Sequence, residues 1–221
     1  MQTDFPRRDV ADSLLASVTR DGSARTSPAL YRTLLRMLAD GDPVPIAHLA
    51  AATGRAVAEV ENTVAGWTDT EYDEQGRIIG WGLTLRPTPH RFVVDGKQLY
   101  TWCALDTLFF PAVIGRCARI EASCHATEAP IRLNVDPSVG VIDLDPAAAV
   151  VSLVIPGKMN SVRAAFCDPG RFFAAADAAC DWRASHPGML VLPVVDAYQA
   201  ARPLSDSLLV GTGEHQLCCP R

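Results

Sequence analysis

The feature that most restricts the fold is a change of period, because apolar residues recur at helical spacing up to Trp67 and alternate from Glu71 onward. Ser27-Pro28 reads as a helix start, with Ser as cap and Pro at the first helical position, and Leu30, Leu34, Met37 and Leu38 make one stripe ended by Gly41. A second helix is predicted from near Pro45 through Ile46, Leu49 and Ala50 to Gly54. A third carries Val57, Val60, Val64 and Trp67. Glu71 to Leu85 then reads as a hairpin, turning at Tyr72-Asp73-Glu74-Gln75-Gly76, with Ile79, Trp81, Leu83 and Leu85 alternating. Three helices followed by a hairpin is the outline of a winged helix-turn-helix. A weak pattern at Leu14, Leu15 and Val18 adds an N-terminal helix or arm.

Charge argues against the usual use of that outline. Residues 1 to 85 hold eight Arg and no Lys against twelve carboxylates, a net of -4, and the third helix, where a recognition helix would lie, carries Glu59 and Glu61. The whole chain stands at -5 with a pI near 5.5. Nucleic-acid affinity comes largely from clustered Lys and Arg, so a packing or lid role is expected and nucleic acid is not a predicted partner.

Arg86-Pro87 with Pro89 marks a junction, dividing the chain into a winged-helix-like region at 1–86 and a second domain at 87–221 that ends in a flexible tail. His90 to Trp102 reads as two strands joined at Asp95-Gly96. The period changes again at Cys103, where Ala104 to Phe110 forms a short buried helix stopped by Pro111. Strands are predicted at 116–124, 131–136, 141–145 and 148–155, helices at about 161–167 and 175–185, and a strand at 190–195. The fold class is α+β, with a three-helix winged-helix-like region packed on a mixed α/β domain rich in antiparallel hairpins.

Seven cysteines stand at 103, 117, 124, 167, 180, 218 and 219. The first fifteen residues carry Asp4, Arg7, Arg8, Asp9 and Asp12, which is not the pattern of a secretory leader, and no apolar run reaches the roughly 20 residues that span a bilayer. The expectation is a cytoplasmic chain with reduced thiols, no disulfide framework and no membrane partner. There is no C-x-x-C and no zinc-type spacing. His90, His125, His186 and His215 have no spacing that marks a metal site or a triad.

Trp102-Cys103-Ala104-Leu105-Asp106 is the sharpest constellation. If Cys103 opens the helix, Asp106 at i+3 shares its face, and the balance between a helix N-terminus and a nearby carboxylate suggests a shared proton. The plain alternative is a buried cysteine beside a first-turn cap. Cys167 ends a helix at Cys167-Asp168-Pro169-Gly170, and two thiols with one carboxylate suit a soft metal or a redox disulfide better than a hard cation. Cys117, Cys124 and Cys180 read as packing. Cys218-Cys219 is either an end without a role or a dithiol able to capture and hand over a soft metal.

The sequence resembles the organomercurial lyase (alkylmercury lyase) family. The likeness is carried by Thr70-Glu71-Tyr72-Asp73, by Ile78 to Leu85, and above all by Leu99-Tyr100-Thr101-Trp102-Cys103-Ala104-Leu105-Asp106-Thr107-Leu108 with Phe110-Pro111-Ala112 and Ile114-Gly115-Arg116. It continues through Val151 to Val154, Phe166-Cys167, Phe172-Phe173 and Asp181-Trp182, covering roughly residues 28 to 200. The resemblance implies cleavage of carbon–mercury bonds with no added cofactor, mercury held by Cys103 and Cys167, a proton handled by Asp106, and a structural role for Cys124. Some members have a second cysteine after the later active one; here that place is Asp168. The Cys218-Cys219 tail lies outside the family pattern and resembles the terminal pair of mercuric reductases.

The mechanism implied has Cys103 attacking mercury and passing its proton to Asp106, Cys167 adding as second ligand, and Asp106 protonating the departing carbon. Small thiols or mercuric reductase are the expected acceptors of Hg(II), with the tail pair assisting transfer. The rival readings are a winged-helix regulator with a thiol-based metal or redox sensor, which lacks a basic recognition helix, and a thiol oxidoreductase, which lacks a C-x-x-C pair.

Overall fold

The computed structural model describes residues 27–154, 161 and 163–209. The predicted N-terminal helix or arm and the Cys218-Cys219 tail lie outside the described residues.

Three helices open the described chain: α1 (Pro28–Leu38), α2 (Ile46–Thr53) and α3 (Val57–Ala65). Leu30, Tyr31, Leu34, Leu35 and Leu38 of α1 are buried, and each such side chain contributes about 1.5–3 kcal/mol on leaving water. Pro28 sits in the first turn as predicted, although Ser27 makes no side-chain capping bond. Gly54 closes α2 at φ 64°, the left-handed conformation that glycine adopts without strain.

The expected single hairpin over 71–85 is three strands instead: β1 (Glu71–Tyr72), β2 (Ile78–Trp81) and β3 (Leu83–Thr84). Gly82 makes the difference. It turns the chain at φ 78°, pairing Trp81 with Leu83, and a Cβ there would lie 2.7 Å from the Phe110 ring and 3.0 Å from the Tyr31 hydroxyl. All four residues of β2 are buried, so its sequence does not alternate in exposure.

β4 (His90–Val94) and β5 (Lys97–Thr101) form the predicted hairpin, with Asp95 and Gly96 both at positive φ. Then come α4 (Ala104–Ile114), β6 (Ala118–Ser123), β7 (Pro130–Asp136) and β8 (Gly140–Asp145). Pro111 does not stop α4, which continues to Ile114. Nearly every side chain of the helix is buried, and that packing outweighs the one hydrogen bond that Pro111 cannot donate. The eight strands form one antiparallel sheet in the order β1-β2-β3-β5-β4-β6-β7-β8.

A second sheet has the order β10-β9-β11, from β9 (Val150–Leu153), β10 (Phe172–Phe173) and β11 (Leu190–Pro193). The predicted helix at 161–167 is a five-residue π-turn, Arg163–Cys167. The one at 175–185 divides into a 3-10 turn, Asp177–Ala179, and α5 (Cys180–Ser185). The predicted strand at 190–195 stops at Pro193, where α6 (Val194–Leu209) begins. This helix is absent from the sequence reading, because its buried face is made largely of small residues, Ala197, Ala200 and Ala201, and Pro203 interrupts its interior. Those alanines let α6 pack closely on α4, and one continuous core joins the helices to both sheets.

Candidate active site

Cys103 leaves β5 in extended conformation at φ -141° and occupies the N-cap of α4. Its Sγ accepts a hydrogen bond from the Asp106 backbone N–H at 3.4 Å, so the i, i+3 spacing delivers the shared face that the sequence predicts. The Thr101 hydroxyl donates to the Cys103 carbonyl at 2.8 Å and fixes the approach to the helix. Cys167 arrives from the far side, at the end of the π-turn, and its Sγ donates to Asp106 Oδ2 at 3.8 Å. The two sulfurs and a carboxylate oxygen lie within 4.8 Å of one another. All three residues are buried, at 1%, 1% and 2% exposure for Cys103, Asp106 and Cys167.

Burial pushes the Cys103 thiol above its ordinary range, and the Asp106 carboxylate adds to the effect, while a hydrogen bond from Cys167 opposes it. The helix N-terminus therefore does not win over desolvation here. The raised thiol stays in its protonated form at rest, with a carboxylate oxygen of Asp106 within 4.8 Å of its sulfur.

The segment carrying Cys167 is held by groups that local spacing does not reveal. Gly170 accepts from the Ala104 N–H at 3.1 Å, and a Cβ at Gly170 would lie 3.0 Å from Cys103 Cβ and 3.2 Å from the Cys167 carbonyl. Ser152, fully buried in β9, donates to the Pro169 carbonyl at 2.7 Å and accepts from the Arg171 N–H at 2.9 Å. Buried Glu71 accepts from the Thr84 hydroxyl, from Trp102 Nε1 at 3.2 Å and from the Arg163 guanidinium, which lies 5.1 Å from the centre of the Trp102 ring. Asp69 accepts from the Ser161 hydroxyl at 2.9 Å and from the Arg163 N–H at 3.2 Å. The segment just after α3, with β1, thus grips the turn that presents Cys167. Replacing Glu71 by Ala strands these donors and is expected to lower stability by about 1–3 kcal/mol, read as a lower urea midpoint. An unchanged midpoint would remove Glu71 from this role.

The remaining candidates separate. Cys124 is a buried free thiol and Cys180 an exposed one. The expectation that Cys117 is simple packing fails, because it stands in a disulfide. His90 faces the core at 2% exposure on β4, beside the Phe172 ring, and neither ring nitrogen has a hydrogen-bond partner among the described residues. Burial, aided by the charge of Arg171 and then by His125, lowers it to about 3. The unfolded chain then takes up a proton below about pH 6.5 that the native protein refuses until about pH 3. Folding stability falls as pH falls through that window, by about 2 kcal/mol between pH 6.5 and 5 from this group. Denaturant melts of His90→Phe should lose this share of the acid sensitivity; an identical pH slope would contradict the assignment.

The comparisons with known proteins agree with one another. Residues 83–206 match the family profile described as alkylmercury lyase, and residues 9–82 match the helix-turn-helix domain of alkylmercury lyase. An alkylmercury lyase of Streptomyces lividans is 50% identical over 208 residues, covering 94% of this chain and 96% of that protein. One from Staphylococcus epidermidis is 50% identical over 198 residues, covering 90% and 91%. The crystal structure of the mercury-bound form of MerB2 superposes with a TM-score of 0.73 at 22% identity, covering 91% of this chain and 98% of that one, and supports the fold.

Proposed function

The chain belongs to the alkylmercury lyase family, and from that premise we propose that Cys103, Cys167 and Asp106 are the groups that cleave the carbon–mercury bond. The protein is an organomercurial lyase, releasing a hydrocarbon and Hg(II) in mercury detoxification. The observation that carries the residue assignment is the meeting of two thiols and one carboxylate within 4.8 Å, in a buried site.

A carbon–mercury bond survives in water because its carbon is a poor base while mercury holds only one other good donor. Thiolates are the donors that a soft metal prefers, and a second one pushes electron density through mercury onto carbon. Cys103 attacks an organomercurial carried by a small thiol and passes its proton to Asp106. Cys167 adds as the next ligand, and the carrier thiolate leaves with one proton. Asp106 delivers the other proton to carbon, the carbon–mercury bond breaks, and Hg(II) stays between Cys103 and Cys167. Two thiol protons are spent, one on the carrier and one on the hydrocarbon, and no electron transfer is needed. The burial of the site excludes water that would compete for the metal and screen the carboxylate.

The chemistry requires no added cofactor in this reading. In the same reading small thiols or mercuric reductase, which a cytoplasmic setting would supply, then draw off Hg(II); no described helix is long and apolar enough to cross a membrane. Headspace gas chromatography of the protein with phenylmercury and excess thiol should show benzene in catalytic amounts. Binding of mercury without benzene would overturn the reading.

A further inference from the structure

The two sulfurs of the site come from separate stretches of chain, and a single carboxylate outside the site touches both stretches. Cys103 follows Trp102 directly, and the Trp102 indole Nε1 donates to Glu71 Oε1 at 3.2 Å. Cys167 ends the π-turn that Arg163 opens, and the Arg163 guanidinium donates to the same Oε1. That turn is closed by the Asp168 N–H, which donates to the Arg163 carbonyl at 2.8 Å, so a shift of Arg163 carries Cys167 with it. Trp102 is pinned in turn by its own backbone N–H, which donates to the Gly82 carbonyl at 2.8 Å.

The carboxylate is itself held. Glu71 is buried on β1, and its Oε2 accepts from the Thr84 hydroxyl. Gly80, opposite Glu71 on β2, leaves the space for it, because a Cβ there would lie 2.5 Å from Glu71 Oε2 and 2.6 Å from Thr84 Cβ. Gly80 is not among the glycines at positive φ, so room rather than backbone freedom calls for glycine at this position. Asp168 lies 3.9 Å from Arg163 Nε with its side chain more than half exposed, and a solvent-facing pair at that distance anchors little. Glu71 therefore carries the hold on the guanidinium.

We propose that Glu71 is a positioning residue of the cleavage: by joining Trp102 to Arg163 it holds the Cys103 and Cys167 sulfurs at the separation at which both bind one mercury. Its effect on turnover rests on the lyase reading, whereas its effect on Hg(II) binding rests on the site geometry alone. Cutting the link leaves Cys103 able to capture an organomercurial, so uptake survives. Cys167 must then find the metal from a looser turn, and a misplacement of about 1 Å at a reacting group costs on the order of 10²-fold in rate. The strand that follows the three helices thus supplies a side chain that the reaction uses at one remove.

The experiment compares full-length wild type, Glu71→Ala, Glu71→Gln and Arg163→Met, each shown to be folded by circular dichroism, in benzene release from phenylmercury and in retention of Hg(II) against excess glutathione. Glu71→Ala and Arg163→Met should each lose about 10²-fold in kcat with KM within about threefold of wild type, and the double variant should be no slower than the slower single, because both break one link. Glu71→Gln keeps an oxygen for the indole and the guanidinium and should recover kcat to within about tenfold of wild type. A carboxylate that serves stability alone would lower the urea midpoint and leave kcat per folded chain unchanged, so folded Glu71→Ala with kcat within about threefold of wild type would overturn the proposal. Losses that multiply in the double variant would overturn it too. If Glu71→Ala does not fold, Arg163→Met cuts the same link at a half-exposed side chain and carries the same test. Retention of Hg(II) should fall by about tenfold in Glu71→Ala, and retention equal to wild type would also contradict the role. That measurement needs no cleavage, so absence of benzene from wild type ends the lyase reading while retention still decides this one.

Discussion

Cys103→Ala is expected to reduce benzene release from phenylmercury by more than about 10⁴-fold, and Cys167→Ala by a similar factor, with the far-ultraviolet spectrum of the folded protein retained. Each variant keeps one soft ligand and the carboxylate, so each can still take up an organomercurial weakly. Neither can place two thiolates on the metal, and the carbon then gains too little charge to accept a proton. Both sulfurs lie within reach of Asp106, which is why the two losses should be alike. Turnover within tenfold of wild type in either variant would rule out the two-thiolate path.

Asp106→Asn separates binding from bond cleavage. The amide keeps the size of the side chain, and the backbone N–H that caps Cys103 remains. Removing the carboxylate charge also removes one of the influences that hold the Cys103 thiol protonated, so capture of mercury should extend to lower pH than in wild type. Protonation of carbon, by contrast, loses its donor. The expected outcome is tight mercury uptake with hydrocarbon release down by about 10²–10⁴-fold, the range that a positioned acid or base contributes. Equal losses in uptake and release would mean that Asp106 serves mainly to hold the site together.

Much of this was legible in the sequence because the signals are local. Cys103 and Asp106 are three residues apart at a change of period, and a helix start places them together by its own geometry. Cys167 is 61 residues from Asp106, so no spacing rule joins them, and only the family resemblance pairs them before the fold does. Glu71, Ser152, Arg163 and Gly170 act through contacts across the two sheets, and their neighbours in sequence give no hint of it. α6 was hidden for a different reason. Its face works by alanine, whose small size permits close packing but barely registers in an apolar pattern, and Pro203 argues locally against a helix that burial sustains. The end of α4 was misjudged in the same way at Pro111. Cys117 read as packing because nothing in its local spacing marks a disulfide.

The large sheet ignores the place where the two family profiles meet. β2 ends at Trp81 and β3 begins at Leu83, on either side of that division, and β3 is hydrogen-bonded to β2 on one edge and β5 on the other. Expressing residues 83–206 alone would therefore expose a raw sheet edge ready to recruit another chain, and would strip Trp102 of the carboxylate its indole donates to. The winged-helix-like region thus shares its sheet and its core with the residues that follow. Moving it onto another partner would break the sheet between β2 and β3.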